Sequence, residues 1–178
     1  MSYQKFTLTS FEKTFSITAQ SGALFPNTPI RSADALLQAE LDENIQYPML
    51  TEKARSEYII SPILRFIHRS NPENLTLFSG YELKVGKTRG LTGYCDRLFS
   101  QSSIPIEVKV PIICMTEAKR ENLDTGVGQC AAEMLAARIF NEKNDSDVHV
   151  IHGAVTSGKE KPVKFCLTGF LLCSESRT

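Results

Sequence analysis

Residues 113–121 read "ICMTEAKRE", and the stretch changes character halfway. Ile113, Cys114, Met115 and Thr116 have the apolar, partly β-branched texture of a buried strand, whereas Glu117, Ala118 and Lys119 set a carboxylate and an ammonium two positions apart. Side chains alternate along a strand, so Glu117 and Lys119 are expected on one face and Ala118 on the other. An acid and a base at the exit of a core strand need partners. Asp96 is the nearest candidate, about twenty residues upstream at the end of the alternating run "LTGYCD". Two antiparallel strands and their connection span that distance, which brings the two acids to one end of a sheet.

Working outward, "LTLFSGYELKV" (75–85) and "LTGYCDRLF" (91–99) read as strands joined across Gly86-Lys87-Thr88-Arg89-Gly90, a basic, glycine-bounded hairpin connection. The third strand is "VPIICMTEAK" (110–119), preceded by a connection with Pro105 and the strand-like "IEVKV" (106–110). "GVGQCAAEMLAARIFNEKN" (126–144) repeats Val127, Cys130, Ala131, Met134, Leu135 and Ile139 on one helical face. "VHVIHGAVT" (148–156), "SGKEK" (157–161) and "VKFCLTGFLL" (163–172) form an expected terminal hairpin. Upstream, "TEKARSEYIISPILRFIHRS" (51–70) has helical apolar spacing, with Pro62 expected to bend or divide it and Pro72 and Asn74 marking its exit. "KFTLTSFEKTFSITAQ" (5–20) alternates enough for one or two strands, and Ser32 is the expected cap of a helix over "ADALLQAELDENIQ" (33–46) closed by Pro48. Hairpins plus one helical crossover imply a mixed sheet with helices packed on it, an α/β (α+β) fold.

The 178 residues, 42% hydrophobic, suit a single domain spanning 1–178. The 20 basic and 20 acidic side chains cancel, so the whole-chain field does not advertise nucleic acid. Their distribution is uneven: the net charge is −2 over 1–50, +4 over 51–120 and −2 thereafter, so the Glu-Ala-Lys stretch lies in the basic part. No apolar run approaches the ~18 residues that span a bilayer, and the N-terminus lacks a secretory core, which leads to the expectation of a soluble, cytoplasmic protein without a membrane partner. Five cysteines without Cys-x-x-Cys pairs read as buried thiols. His68, His149 and His152 show no metal-like spacing and receive no role.

Two carboxylates held close repel, and a hard divalent cation relieves that cost. Mg²⁺ prefers such oxygen ligands and phosphate oxygens. A lysine beside it can acidify or orient an attacking water, or stabilise charge building on phosphorus. Asp96, then Glu117-Ala118-Lys119 at the end of the next strand, then a helix carrying Gln129, resembles the PD-(D/E)XK nuclease superfamily, whose common core is αβββαβ. Glu57 in "SEYIISPIL" (56–64) matches the family's first-helix glutamate, with Glu52 as its rival. The texture of this helix and the terminal "GAVTSGKEKPVKFCLTGF" (153–170) look like the nuclease domain of type I restriction motor subunits and its stand-alone relatives. The resemblance covers about residues 50–172, leaving 1–50 as an N-terminal extension to a 51–172 nuclease-like core that ends in a C-terminal hairpin. Cys95 stands where the signature has proline, and no Walker-type stretch for a motor is present.

The resemblance implies a restriction endonuclease-like hydrolase cutting DNA phosphodiesters directly with water. Mg²⁺, or Mn²⁺ as a substitute, would be held by Asp96, Glu117 and the Ala118 carbonyl, with Glu57 supporting it. Asp96, Glu117, Lys119, Glu57 and Gln129 are thus the candidate catalytic set. Gln129 is expected either to position the water or strand or to line a helix face with Glu133. Lys84, Lys87, Arg89 and Arg120 are candidate phosphate contacts, which position DNA without reading its sequence. DNA is the expected partner; a homodimer suits cutting of both strands, and a restriction or defence subunit suits the likeness to type I systems. Two rival readings stand beside this one. One is a catalytically silent nuclease-like domain that binds nucleic acid or a protein partner; the other is an interaction protein in which Glu117 and Lys119 form a surface ion pair worth about 0–1 kcal/mol.

Overall fold

In the computed structural model of the chain, residues 2–22, 24, 27, 29, 32–101, 106–119, 123–157, 163–168 and 171–175 are described, the side chains of 117, 118, 123–125, 163–168 and 171–175 excepted. The first departure from expectation is at the N-terminus, where helix α1 (Leu8–Phe15) replaces the expected first strand. The reason is local. Thr7 and Ser10 exchange reciprocal hydrogen bonds of 2.9 and 3.2 Å that cap the helix, and Phe11 and Phe15, one turn apart, meet at 5.1 Å between ring centres. Ser16, at φ 55°, ends the helix in a left-handed cap, and the short strand β1 (Thr18–Ser21) follows. Helix α2 (Ala35–Asn44) is capped by Asp34, whose carboxylate accepts from the Leu37 N–H at 2.7 Å, and not by Ser32.

The helix expected over 51–70 is interrupted as its proline requires. Helix α3 (Glu52–Arg55) runs into a wider π-type turn, Ser56–Ile60, before helix α4 (Ser61–Arg69) begins with Pro62 in its first turn. Pro62 has no N–H for the Tyr58 carbonyl, and the Asn44 side chain from α2 donates to that carbonyl instead, at 2.9 Å. The interruption thus stands at the turn that carries Glu57.

Strands β2 (Thr76–Gly86) and β3 (Leu91–Ser100) form the expected antiparallel hairpin, its connection closed by Gly90 at φ 78°. Strand β4 (Ile112–Ala118) lies antiparallel to β3, while 106–110, read as strand-like, is irregular. Helix α5 (Leu123–Lys143) then crosses over to β5 (Ile151–Thr156), which runs parallel to β4. The expected last strand is two, β6 (Val163–Thr168) and β7 (Leu171–Glu175), antiparallel to each other, so the terminal hairpin is a three-strand meander. Thr168 pairs with Leu171, and Gly169 stands among apolar residues in the sequence. Strand β7 also pairs in parallel with β1, completing a mixed seven-stranded sheet in the order β1-β7-β6-β5-β4-β3-β2.

Helix α5 is buried along both sides. Its apolar face, with Val127, Cys130, Ala131 and Met134, meets the sheet in a core shared with Leu98, Met115 and Val155. The N-terminal residues cover its other side, and Tyr3, Phe6, Phe11 and Phe15 belong to the same core. A Cβ on Gly128 would approach the Phe6 carbonyl to 2.5 Å and the Leu8 nitrogen to 2.6 Å, so only glycine allows this backbone contact. At the far end of α5, Asn141 clasps β4: its Oδ1 accepts from the Ile112 N–H and its Nδ2 donates to the Ile112 carbonyl, both at 2.8 Å. A smaller cluster, Ile60, Leu64 and Phe99 with Leu75, Leu77 and Ile113, packs α4 on the other face of the sheet. Among the described residues, no helix is long and apolar enough to cross a membrane.

Candidate active site

A cleft of about 360 Å³ opens between α3, the π-type turn and the middle of the β2–β3 hairpin, lined by Glu52, Lys53, Ser56, Glu57, Ser79, Asp96 and Arg97. The two acids proposed from the helix and from the strand therefore share one cavity, and Glu52, the rival of Glu57, lies there too. Glu57 is exposed and faces Lys53 one turn earlier at 3.9 Å. Arg97 turns away along the α4 side: its guanidinium donates to the Asp96 carbonyl at 2.7 Å, to Ser61 Oγ at 2.9 Å and to Ser56 Oγ at 3.5 Å. These bonds tie the strand to both sides of the π-type turn and hold the cleft walls together.

Asp96 sits where the sheet is locally irregular. Ser79 pairs with Arg97 and Tyr81 with Cys95, and the position between them on β2 is Gly80, at φ +60°, opposite Asp96. That conformation is one that residues with a Cβ adopt reluctantly. On the other side, β3 and β4 pair Phe99 with Cys114, Leu98 with Met115 and Arg97 with Thr116. The pairing ends there; extended by one step, the same register would set Asp96 opposite Glu117. Directly opposed positions on antiparallel strands share a face, with Cβ atoms about 5 Å apart. Among the described side chains, which do not include that of Glu117, no three His, Cys, Asp or Glu are grouped closely enough to hold a metal ion.

Lys119 follows the last residue of β4, and its N–H donates to the Thr156 carbonyl at 2.9 Å, extending the pairing with β5. Its side chain lies across the first turns of α5. The Nζ donates to Gln129 Oε1 at 3.0 Å, and Gln129 Nε2 donates to Glu133 Oε1 at 3.1 Å. Gln129 is 4% exposed and Glu133 0%. Room for the lysine comes from Gly126, where a Cβ would sit 2.7 Å from Lys119 Cγ and 2.6 Å from Val155 Cγ1. Gln129 therefore lines the helix face with Glu133, one of the two readings weighed from the sequence, and also accepts from Lys119. Tyr3 closes the far side. Its hydroxyl donates to the Leu83 carbonyl at 2.6 Å, and burial, then the neighbouring Cys95 and Glu133, push its ionisation far above the usual range.

The basic hairpin is not brought to this cleft. Lys84 pairs with Glu82 at 2.7 Å, which raises the lysine's pKa, and Arg89 stacks over Phe15 at 5.0 Å. Arg89 lines a separate cavity of about 210 Å³ with Arg138 and Glu142 of α5, which lie about 14–20 Å along the helix axis from the level of Gln129. Lys87 is exposed in the hairpin connection, and Arg120 lies outside the described residues. Sequence reasoning passed over Gly126 and Tyr3. A glycine at the start of a helical run is the one signal that could have pointed to a close approach there; the contacts of Tyr3 are long-range and leave no local trace. Arg97, weighed from the sequence as a partner of Asp96, bonds the Asp96 carbonyl. No protein-family model matches the chain, and no curated protein matches it.

Proposed function

We propose that the protein is a Mg²⁺-dependent nuclease that hydrolyses DNA phosphodiester bonds with a site of the PD-(D/E)XK type. The observation that carries this reading is the register of β3 and β4, which pairs Arg97 with Thr116 and, extended by one step, would bring Asp96 opposite Glu117, two residues before Lys119. The sharing of one cleft by Asp96 and Glu57, and the order of helix, three strands, helix and strand from Glu52 to Thr156, support it. The donor set is all oxygen, from Asp96, Glu117, the Ala118 carbonyl and Glu57, and fits a hard cation such as Mg²⁺ better than zinc. When bound, the ion supplies positive charge that offsets the charge building on phosphorus. In the reaction a water oxygen forms the new bond to phosphorus as it gives up a proton to solvent, the bond to the leaving sugar oxygen breaks, and that oxygen leaves with a proton drawn from solvent. Lys119 presents its ammonium to the attacking water and to the phosphoryl oxygens, and Gln129 keeps it there. Arg97 steadies the cleft wall through Ser56 and Ser61.

The test is cleavage of supercoiled, linear and single-stranded DNA with Mg²⁺ or Mn²⁺, with EDTA as control, by wild type, Asp96→Asn and Lys119→Ala. Loss of one preorganised charge-stabilising group typically costs about 10²–10³ in rate, which is the fall expected for Lys119→Ala. Cutting by all three preparations alike would assign the activity to a contaminant. Absence of cutting by wild type on every substrate would favour the silent binding domain.

A further inference from the structure

We infer that Glu133 is a positioning residue: it fixes the orientation of the Gln129 carboxamide and, through it, holds the Lys119 ammonium at the end of β4. A lysine ammonium can only donate hydrogen bonds and an ionised carboxylate can only accept them. Gln129 stands between the two, with Lys119 Nζ on its oxygen at 3.0 Å and Glu133 Oε1 on its nitrogen at 3.1 Å. Only one of the two amide orientations satisfies both neighbours; the flipped amide would turn its NH₂ toward an ammonium and its oxygen toward a carboxylate. Burial makes the preference strong, because Gln129 is 4% exposed and Glu133 0%, and water is not at hand to satisfy the wrong orientation. The covering is built by the N-terminal residues. The Phe6–Leu8 backbone lies against Gly128, next to Gln129, and Tyr3, whose hydroxyl bonds the Leu83 carbonyl, lies near enough to Glu133 to feel its charge. Glu133, on the third turn of α5 and one turn beyond Gln129, thus acts two hydrogen bonds away from where the lysine works.

The kinetic part of this inference rests on the nuclease reading; the orientation of Gln129 does not. The experiment is therefore a pair of measurements on the full chain, wild type against Glu133→Met and Glu133→Gln. The first follows the side-chain NH₂ of Gln129 by ¹H–¹⁵N NMR, through its shift and its exchange with water. Met removes the acceptor and should speed that exchange at least tenfold; Gln retains an acceptor oxygen and should show a smaller effect. The second is steady-state DNA cleavage, where a positioning role lowers kcat about tenfold or more in Glu133→Met with KM changed less than about twofold. Combining Gln129→Glu with Glu133→Gln should restore most of the lost kcat, because a carboxylate at 129 accepts from Lys119 as the carbonyl did and the new amide donates to it. Should Glu133→Met fail to fold, Glu133→Gln carries the comparison. Unchanged Gln129 NH₂ signals in the folded variants overturn the inference whatever the cleavage result. Altered NH₂ signals in the variants of a protein whose wild type cuts no DNA uphold it and count against the nuclease reading alone.

Discussion

Replacing Gly126 with alanine separates stability from activity, and the structure supplies the numbers. Alanine in a helix interior is favoured over glycine by about 1 kcal/mol. Here, however, the added methyl would sit 2.6 Å from Val155 Cγ1, 2.7 Å from Lys119 Cγ and 3.2 Å from Lys119 Cε. Ordinary carbon contacts are about 3.5–4.0 Å, so the lysine stem or the helix has to retreat by about 1 Å. Overpacking of this kind costs about 1–3 kcal/mol, which leaves a net loss of about 0–2 kcal/mol and a folded protein. On the proposed nuclease reading, a displacement of about 1 Å at Lys119 lowers the rate about a hundredfold. Urea denaturation and DNA cleavage measured on the same preparation should therefore show a small fall in midpoint beside a large fall in kcat. Gly128→Ala is the contrast, because its methyl would meet the Phe6 carbonyl at 2.5 Å and the Leu8 nitrogen at 2.6 Å, backbone atoms that move only if the N-terminal residues lift off. It should lose more stability than Gly126→Ala. A Gly126→Ala protein stabilised by the full ~1 kcal/mol and cutting at the wild-type rate would refute the close fit of Lys119 against α5.

Three further outcomes are expected. Asn141→Leu keeps the shape of the side chain but leaves the buried Ile112 N–H and carbonyl without their partner, which should lower unfolding stability by about 3 kcal/mol in urea titrations; an unchanged midpoint would remove the clasp from the account. The Cys114 thiol is pushed from 9.0 up to about 11 by burial, so its thiolate fraction near neutrality is about a hundredfold below that of an ordinary cysteine and its alkylation by iodoacetamide at pH 8 should be slower in proportion; mass spectrometry that finds Cys114 labelled as fast as an unfolded control would contradict this. Burial lowers the pKa of His152, so the unfolded chain takes up a proton there near the ordinary value of about 6.5 while the folded protein resists it. Below that pH the unfolded state binds more protons, and the stability contribution, complete at higher pH, declines as pH falls through about 6.5 toward the lower folded value. Urea midpoints at pH 7.5 and 5 should converge when His152 is replaced by glutamine, and an equal pH slope in both proteins would exclude the histidine.

Much of the frame was legible in the chain because its signals are local. The alternation of β2 and β3, the glycines that bound their connection and the apolar spacing of α5 each act within a few residues. Helix α1 was missed because Thr7, Leu8 and Thr9 alternate like a strand, whereas the deciding contacts, Phe11 with Phe15 and Thr7 with Ser10, appear only once a helix is assumed. The division of the last strand into β6 and β7 was hidden because Gly169 stands among apolar residues in the sequence.

Residue order alone determined that a helix acid, a strand acid, a Glu-x-Lys strand end and a helix glutamine follow one another at spacings that a mixed sheet can close. Only the tertiary structure decided what surrounds them. Sequence periodicity places Gln129 and Glu133 on one face of α5 but says nothing of what covers it, because periodicity distinguishes faces and not their surroundings. The N-terminal residues, more than a hundred positions away, cover that side and turn two polar side chains into a buried chain of hydrogen bonds ending at Lys119. Likewise the hairpin cations are a basic cluster in the sequence, and the fold sends Arg89 to Phe15 at the far end of α5. Charge is counted along the chain, but the field a substrate meets depends on where the packing of the core leaves each charge.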